Sequence, residues 1–304
     1  MSLGMSLKAA LRSGALQLKD ALPALEALAH DPEGSVADEP MSVLRQLERD
    51  WTDDALRPSV RRYAAGLYRE AVRRLGWKPA HGEALEQARF REEVIAFELD
   101  TARDPAVTRE AAALGQKYAA ALDPAVVDPS LAGLALASAV REGGAKTFDA
   151  LLAKLGSTED AEARDRILGA LSSTLDPALS ARALALSLDP RLRKNERVSL
   201  VARQLFQPET RDAAWTWLTK NYDALVEAVP EQHASRLFGV AGIFCDEARL
   251  AGAEAFLSPR AEKVPAAPRR LRQALEDGRI CLAQAASQRP GVQAFFRKLA
   301  LNAR

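Results

Sequence analysis

The segment "DDALRPSVRRYAAGLYREAVRRLGW", residues 53–77, sets the fold class. Val60, Ala64, Leu67, Tyr68, Ala71 and Leu75 recur at three- and four-residue spacing. That period places apolar side chains on one face of a helix. The stretch "EEVIAFELD", 92–100, continues it with Val94 and Phe97, and Ala102 follows. No run of β-branched residues alternates with polar ones for long enough to make a strand, and there is no Asn-Gly hairpin signal. The chain reads as all-α.

The helices are punctuated by Asp-Pro steps: Asp104-Pro105, Asp123-Pro124, Asp128-Pro129, Asp176-Pro177 and Asp189-Pro190. An Asp carboxylate accepts the free N–H groups of a first helical turn, and a Pro in that turn gives up no bond. Each step is therefore expected to restart a helix after a short turn, giving antiparallel pairs. The aspartates are 19, 5, 48 and 13 residues apart, so no fixed repeat length applies. This texture predicts an irregular α-solenoid of stacked, HEAT-like helix pairs. The expected division is a cloning remnant at 1–6 ("MSLGMS", repeating its own start), a less regular helical part of the same domain at 7–82, and a solenoid at 83–304 continuous with it.

Composition narrows the function classes. Of 304 residues, 48% are hydrophobic and 27% charged, the balance of an ordinary globular protein. Forty-two Lys and Arg against 41 Asp and Glu leave a net charge of +1, which argues against nucleic acid or an anionic membrane as partner. No apolar run reaches the length of a membrane span. The two cysteines, Cys245 and Cys281, sit in apolar helical patterns and are expected as buried free thiols in a cytoplasmic setting.

Aromatic residues make up only 6% of the chain, yet "AAWTWLTKNYDALVEAVP" (213–230) holds two of the four tryptophans and one of the four tyrosines. Trp215, Leu218, Tyr222 and Leu225 share one helical face, with Trp217 roughly 200° round the axis. A solenoid helix is covered on two sides, so both tryptophans are expected in core rather than on a binding platform.

Motifs for chemistry are missing. The histidines, His30, His81 and His233, lack the four-residue spacing of a His-Glu-x-x-His zinc helix. "GGAKTF" (143–148) has Ala145 before Lys146 and Val140 where a phosphate loop needs its first glycine, so it reads as a Gly-Gly helix stop. Acid-rich "STEDAEARDRI" (157–167) reads as a solvated face, and the basic groups at Arg73-Arg74, Arg191–Arg197 and Arg269–Arg272 as surface clusters.

The C-terminal third carries a family likeness. It holds Asn195-Glu196 after a basic stretch, then a helix with Trp215, Trp217, Leu218, Asn221, Tyr222 and Leu225. The step Ser235-Arg236-Leu237, the turn Gly242-x-Phe244-Cys245 and a closing Phe256 follow. In these features the chain resembles the helical C-terminal domain of gluzincin zinc aminopeptidases, the aminopeptidase N and puromycin-sensitive aminopeptidase group. Trp217 and Tyr222 depart from that group's commoner Phe and Trp. The group's catalytic Gly-x-Met-Glu-Asn loop and His-Glu-x-x-His helix do not occur here.

The resemblance implies a curved helical bowl that encloses the active-site chamber of a catalytic domain in the same polypeptide. It also implies contact with the peptide substrate beyond its cleaved N-terminal residue. Catalysis, and the zinc that polarises the scissile carbonyl and activates a water, would belong to that other domain; no cofactor is expected in this chain. Arg236, Arg193 and Arg197 are the candidates for peptide contact, against the alternative that each makes a helix-end or inter-helix salt bridge. The competing reading of the whole chain is a free-standing α-solenoid adaptor that binds a protein in its groove.

Overall fold

The computed structural model describes residues 3–302 and is helical throughout, with no strand among the described residues. Its first part holds α1 (Leu3–Ser13), α2 (Leu18–Ala29), α3 (Gly34–Ala37), α4 (Glu39–Gln46), α5 (Arg57–Leu75) and α6 (Leu85–Phe97). Wider π-type turns at Leu47–Trp51 and Glu98–Ala102 extend α4 and α6. Next come α7 (Pro105–Ala121), α8 (Ala132–Ser157), α9 (Ala161–Leu171), α10 (Pro177–Ala185), α11 (Arg197–Phe206) and α12 (Arg211–Glu227). The chain ends with α13 (Glu231–Ala234), a 3-10 segment Ser235–Ile243, α14 (Glu247–Ala261) and α15 (Ala267–Asn302).

Contacts divide the chain into two compact units. One holds the chain up to Glu110 with 127–131 and the residues from Ala283 on; the other holds 111–126 and 132–282. Residue 82 falls within the first unit, in the turn between α5 and α6. Residues 1–2 of the stretch 1–6 lie outside the described residues. Leu3–Ser6 open α1, with Gly4 buried against the Glu39 side chain.

In the first unit, α5 buries Val60, Ala64, Leu67, Tyr68 and Leu75, the face its periodicity implies. Gly76 ends the helix at φ 63°, a backbone state that suits glycine, and its N–H bonds Val72 O at 2.9 Å. The Tyr68 ring meets Phe97 edge-on at 5.0 Å while its hydroxyl donates to Ala37 O at 2.8 Å. Gln288 of α15, almost fully buried, accepts from Leu18 N–H at 2.7 Å and donates to Leu16 O at 2.9 Å, which secures the α1–α2 turn.

In the second unit, α8 packs on α9, α9 and α10 on α11, α11 on α12 and the 3-10 segment, and that segment on α14. This is neighbour-on-neighbour packing of the solenoid kind. Gly144 (φ 54°, ψ −142°) breaks α8 at the point where the Gly-Gly stop is expected.

The Asp-Pro steps only partly follow expectation. In all five, the Asp Oδ1 accepts the N–H two residues on: Ala106, Ala125, Ser130, Ala178 and Arg191. Only Asp104 and Asp176 start a helix at the proline itself. Asp123, Asp128 and Asp189 form turns that lead on to a later element. The local bond is the same in every case, and whether a helix propagates from it depends on what the next residues pack against.

Candidate functional site

The segment with the predicted arginines is built around a group that sequence reading missed. Asp189 starts a turn at Leu188's end of α10's extension, and the chain reaches α11 at Arg197. Just before that helix, Glu196 grips Arg164 of α9: Nε–Oε1 is 2.7 Å and Nη2–Oε2 2.8 Å. Arg164 also donates from Nη1 to Leu155 O and Thr158 O, both at 3.0 Å, satisfying carbonyls at the end of α8. One buried guanidinium thus joins three helix ends. "STEDAEARDRI" is accordingly not a purely solvated face, because Arg164 is only 6% exposed.

The Glu196 carboxyl is pulled two ways. Burial opposes its ionisation, but bonds from Arg164 and the Arg193 N–H outweigh burial and hold it below the usual carboxylate range. A cavity of about 210 Å³ lies beside this pair. Three arginines line it, and each has an acid: Arg164 with Glu196, Arg191 with Asp189 at 2.6 Å, and Arg193 with Glu159 at 3.4 Å. The depression is charge-balanced and does not select for an anion.

Arg193 donates to Glu159 O at 2.7 Å, and Arg197 Nη2 to Leu192 O at 3.1 Å, so both brace the local backbone. Asn195 is exposed between them. Arg236 lies apart, in the 3-10 segment, exposed and without an ion pair to any described residue. The structure therefore groups Arg193, Asn195, Glu196 and Arg197 and does not add Arg236 to them.

The aromatic helix α12 is packing. Leu218, Tyr222 and Leu225 are buried, and Trp215 and Trp217 pack half-buried against the same core. Trp215 meets Phe244 and Phe256 edge-on at 5.2 and 5.8 Å, and Tyr222 meets Phe256 at 5.6 Å. Asn221 Nδ2 bonds back to Trp217 O at 2.8 Å within the helix.

The turn Gly242-Ile243-Phe244-Cys245 docks on α15. A Cβ at Gly242 would stand 3.1 Å from Ala274 O, so a side chain there forces the two backbones apart. Phe244, buried, supplies the ring under Trp215. Cys245 is bonded to Cys281, with Cα atoms 5.4 Å apart. This corrects the expectation of two free thiols: residues 36 apart in sequence are brought within bonding distance when α15 covers the turn.

Among the described residues, the histidines and cysteines do not offer a zinc-ligand set. His30, His81 and His233 lie on separate elements, and the two sulfurs are bonded to one another. Sequence reading also passed over Glu98. It is 0% exposed, with neither carboxylate oxygen hydrogen-bonded. Burial first, and the nearby Asp104 second, push its pKa up to about 8 despite Arg69. Its neighbour Asp104 goes the other way: burial is outweighed by Arg69 and the Val107 and Ala106 amides.

The family model described as "ERAP1-like C-terminal domain" matches residues 3–280. The chain belongs to that family. Among curated proteins, this ERAP1-like C-terminal domain is similar to Aminopeptidase M1-B of Oryza sativa subsp. japonica. The two are 26% identical over 227 residues, covering 73% of this chain and 25% of the rice protein. Aminopeptidase M1 of Arabidopsis thaliana is 26% identical over 172 residues, 55% of this chain and 19% of its own length. Aminopeptidase M1-C of rice is 24% identical over 240 residues, 77% and 27%. The ERAP1-like domain thus spans about a quarter of the length of the relatives it matches.

Proposed function

We propose that this chain works as the C-terminal helical domain of a larger zinc aminopeptidase. In that role it encloses the chamber of a catalytic domain in the same polypeptide and contacts the peptide beyond its cleaved N-terminal residue. The observation that carries the reading is the family match over residues 3–280, with relatives named as aminopeptidases and about three times as long. The zinc chemistry then falls to another part of the polypeptide, since the donor set here does not suit the ion. Of the three arginines, Arg236 is the one we assign to the peptide, because its guanidinium is exposed and unengaged by a described acid. Arg193 and Arg197 are already committed to backbone carbonyls. The Cys245–Cys281 bond supports an oxidising compartment for the protein, since such bonds persist where thiols are not kept reduced.

The test is to isolate the native polypeptide that carries this sequence from its source. A product several times longer than 304 residues, with bound zinc and aminopeptidase activity, is the expected result. A native product of this length with neither would overturn the reading in favour of the adaptor.

A further inference from the structure

The joint between α6 and α7 is built around an acid that has no hydrogen bond. In the wider turn Glu98–Ala102, Glu98 is fully buried and neither carboxylate oxygen has a partner. The other wide turn, Leu47–Trp51, treats its acid differently. There Glu48, also buried, meets Arg61 at 2.6 Å and Arg57 at 3.4 Å. Both turns pack against α5, the helix that carries these arginines. A buried polar group left unsatisfied in a native interior calls for a reason.

The guanidinium that acts on Glu98 is closed on a different acid. Arg69 of α5 meets Asp104, Nε–Oδ2 at 2.8 Å and Nη2–Oδ2 at 2.7 Å. Asp104, buried, caps α7 by accepting from Ala106 N–H at 2.8 Å and Val107 N–H at 3.2 Å. Its own N–H shuts the turn by donating to Glu98 O at 3.0 Å. Arg103 between them holds φ 51°, a region that side chains disfavour. One guanidinium thus stands beside two acids and satisfies one. The Tyr68 phenol, facing Glu98 from α5, donates to Ala37 O, and burial first raises its pKa, so it stays neutral. On α6 the buried charge, Arg91, is held by Glu83 and Asp128, and Asp100 of the turn itself is exposed.

We propose that Glu98, Asp104 and Arg69 form a pH-sensitive latch on the joint between α6 and α7. With Glu98 protonated, one guanidinium faces one carboxylate and the turn stays closed. Ionisation puts a second negative charge beside Asp104 in a buried site, so the ionised form is favoured once the turn opens and water reaches the carboxyl. The sign follows from the folded pKa of about 8, above the ordinary 4.5. Opening becomes easier as pH rises between those values and levels off beyond the upper one. The latch is tight in mild acid and loose in mild alkali. It lies within the first unit and is independent of the parent protein's activity.

The test is hydrogen–deuterium exchange of the full 304-residue chain from about pH 5 to about pH 9.5, read by mass spectrometry as protection relative to the unfolded chain. Protection across residues 98–108 should fall at least about threefold per pH unit up to a break near pH 8. Above about pH 6 it should stand at least about tenfold below that of residues 60–68 in α5. Glu98→Gln should remove the slope. Asp104→Asn, which keeps a capping oxygen, should move the break to lower pH, because Asp104 raises the Glu98 pKa. Arg69→Met should move it higher, because Arg69 lowers that pKa. A flat profile in the parent, a slope that persists in Glu98→Gln, or breaks that stay or move the other way overturns the inference. Equal protection of 98–108 and 60–68 does so too, since the opening is then global.

Discussion

Arg164 and Glu196, 32 residues apart, meet in a two-pronged ion pair whose side chains are 7% and 10% exposed. The guanidinium satisfies carbonyls at the end of α8, and the carboxylate accepts the Arg193 N–H in the turn before α11. Because both side chains are nearly buried and fully engaged, losing one partner strands the other's charge. Glu196→Ala is expected to cost about 3 kcal/mol in chemical denaturation. The double change Arg164→Met, Glu196→Leu should cost less than that single one. A double variant as unstable as the sum of its parts contradicts this account. The sign with pH follows from the lowered Glu196 pKa: this stabilisation is complete above the ordinary carboxylate value and is lost as pH falls through the folded one.

Glu98 carries the opposite sign. Its folded pKa of about 8 exceeds the ordinary 4.5, so between those values the native chain holds a proton that the unfolded chain releases. Stability should therefore decline as pH rises through that window, by up to ~1.4 kcal/mol per pH unit from this group. Glu98→Gln keeps the shape and removes the ionisation. Its melting temperature should match the parent near pH 4.5 and exceed it at pH 8.5, and parallel curves for the two proteins across that range would rule out a buried ionising Glu98.

The Cys245–Cys281 bond closes a 36-residue separation. The intact mass without reductant should be lower than the reduced mass by two hydrogens, and neither thiol should alkylate in the native chain. Chain-entropy reasoning for a loop of that length gives about 3–4 kcal/mol of stabilisation, so reductant or Cys281→Ser should lower the melting temperature by several degrees. Alkylation of both cysteines before reduction is the contrary result.

Trp215 touches Phe244 and Phe256 but is only partly buried. Trp215→Ala should cost about 2–4 kcal/mol, at or below the range for a fully enclosed Trp. Trp215→Phe should recover more than half, because ring contact rather than the indole N–H does the packing. A loss under about 0.5 kcal/mol for the alanine variant contradicts a core role.

Much was legible beforehand because its causes are local. The spacing of Val60, Ala64 and Tyr68 makes a one-faced helix wherever it occurs, and the helix end at Gly76 and the break at Gly144 need only a glycine to adopt positive φ. The Asp-Pro steps were half-read for the same reason. The Asx bond is local and forms in all five, whereas helix growth beyond it requires a neighbour to pack on.

Hidden from the sequence was whatever depends on two distant segments meeting. Arg164 sits in a run of charges and looks solvated until α11 brings Glu196 to it. Cys245 and Cys281 look like separate buried thiols until α15 covers the Gly242 turn. Glu98 looks like any helical glutamate until packing takes water away from both its oxygens. Helicity and turn chemistry are written residue by residue, and by themselves they determined the all-α class. Pairing, burial and the charge state of a buried acid are properties of the surroundings, and only the tertiary structure decided those.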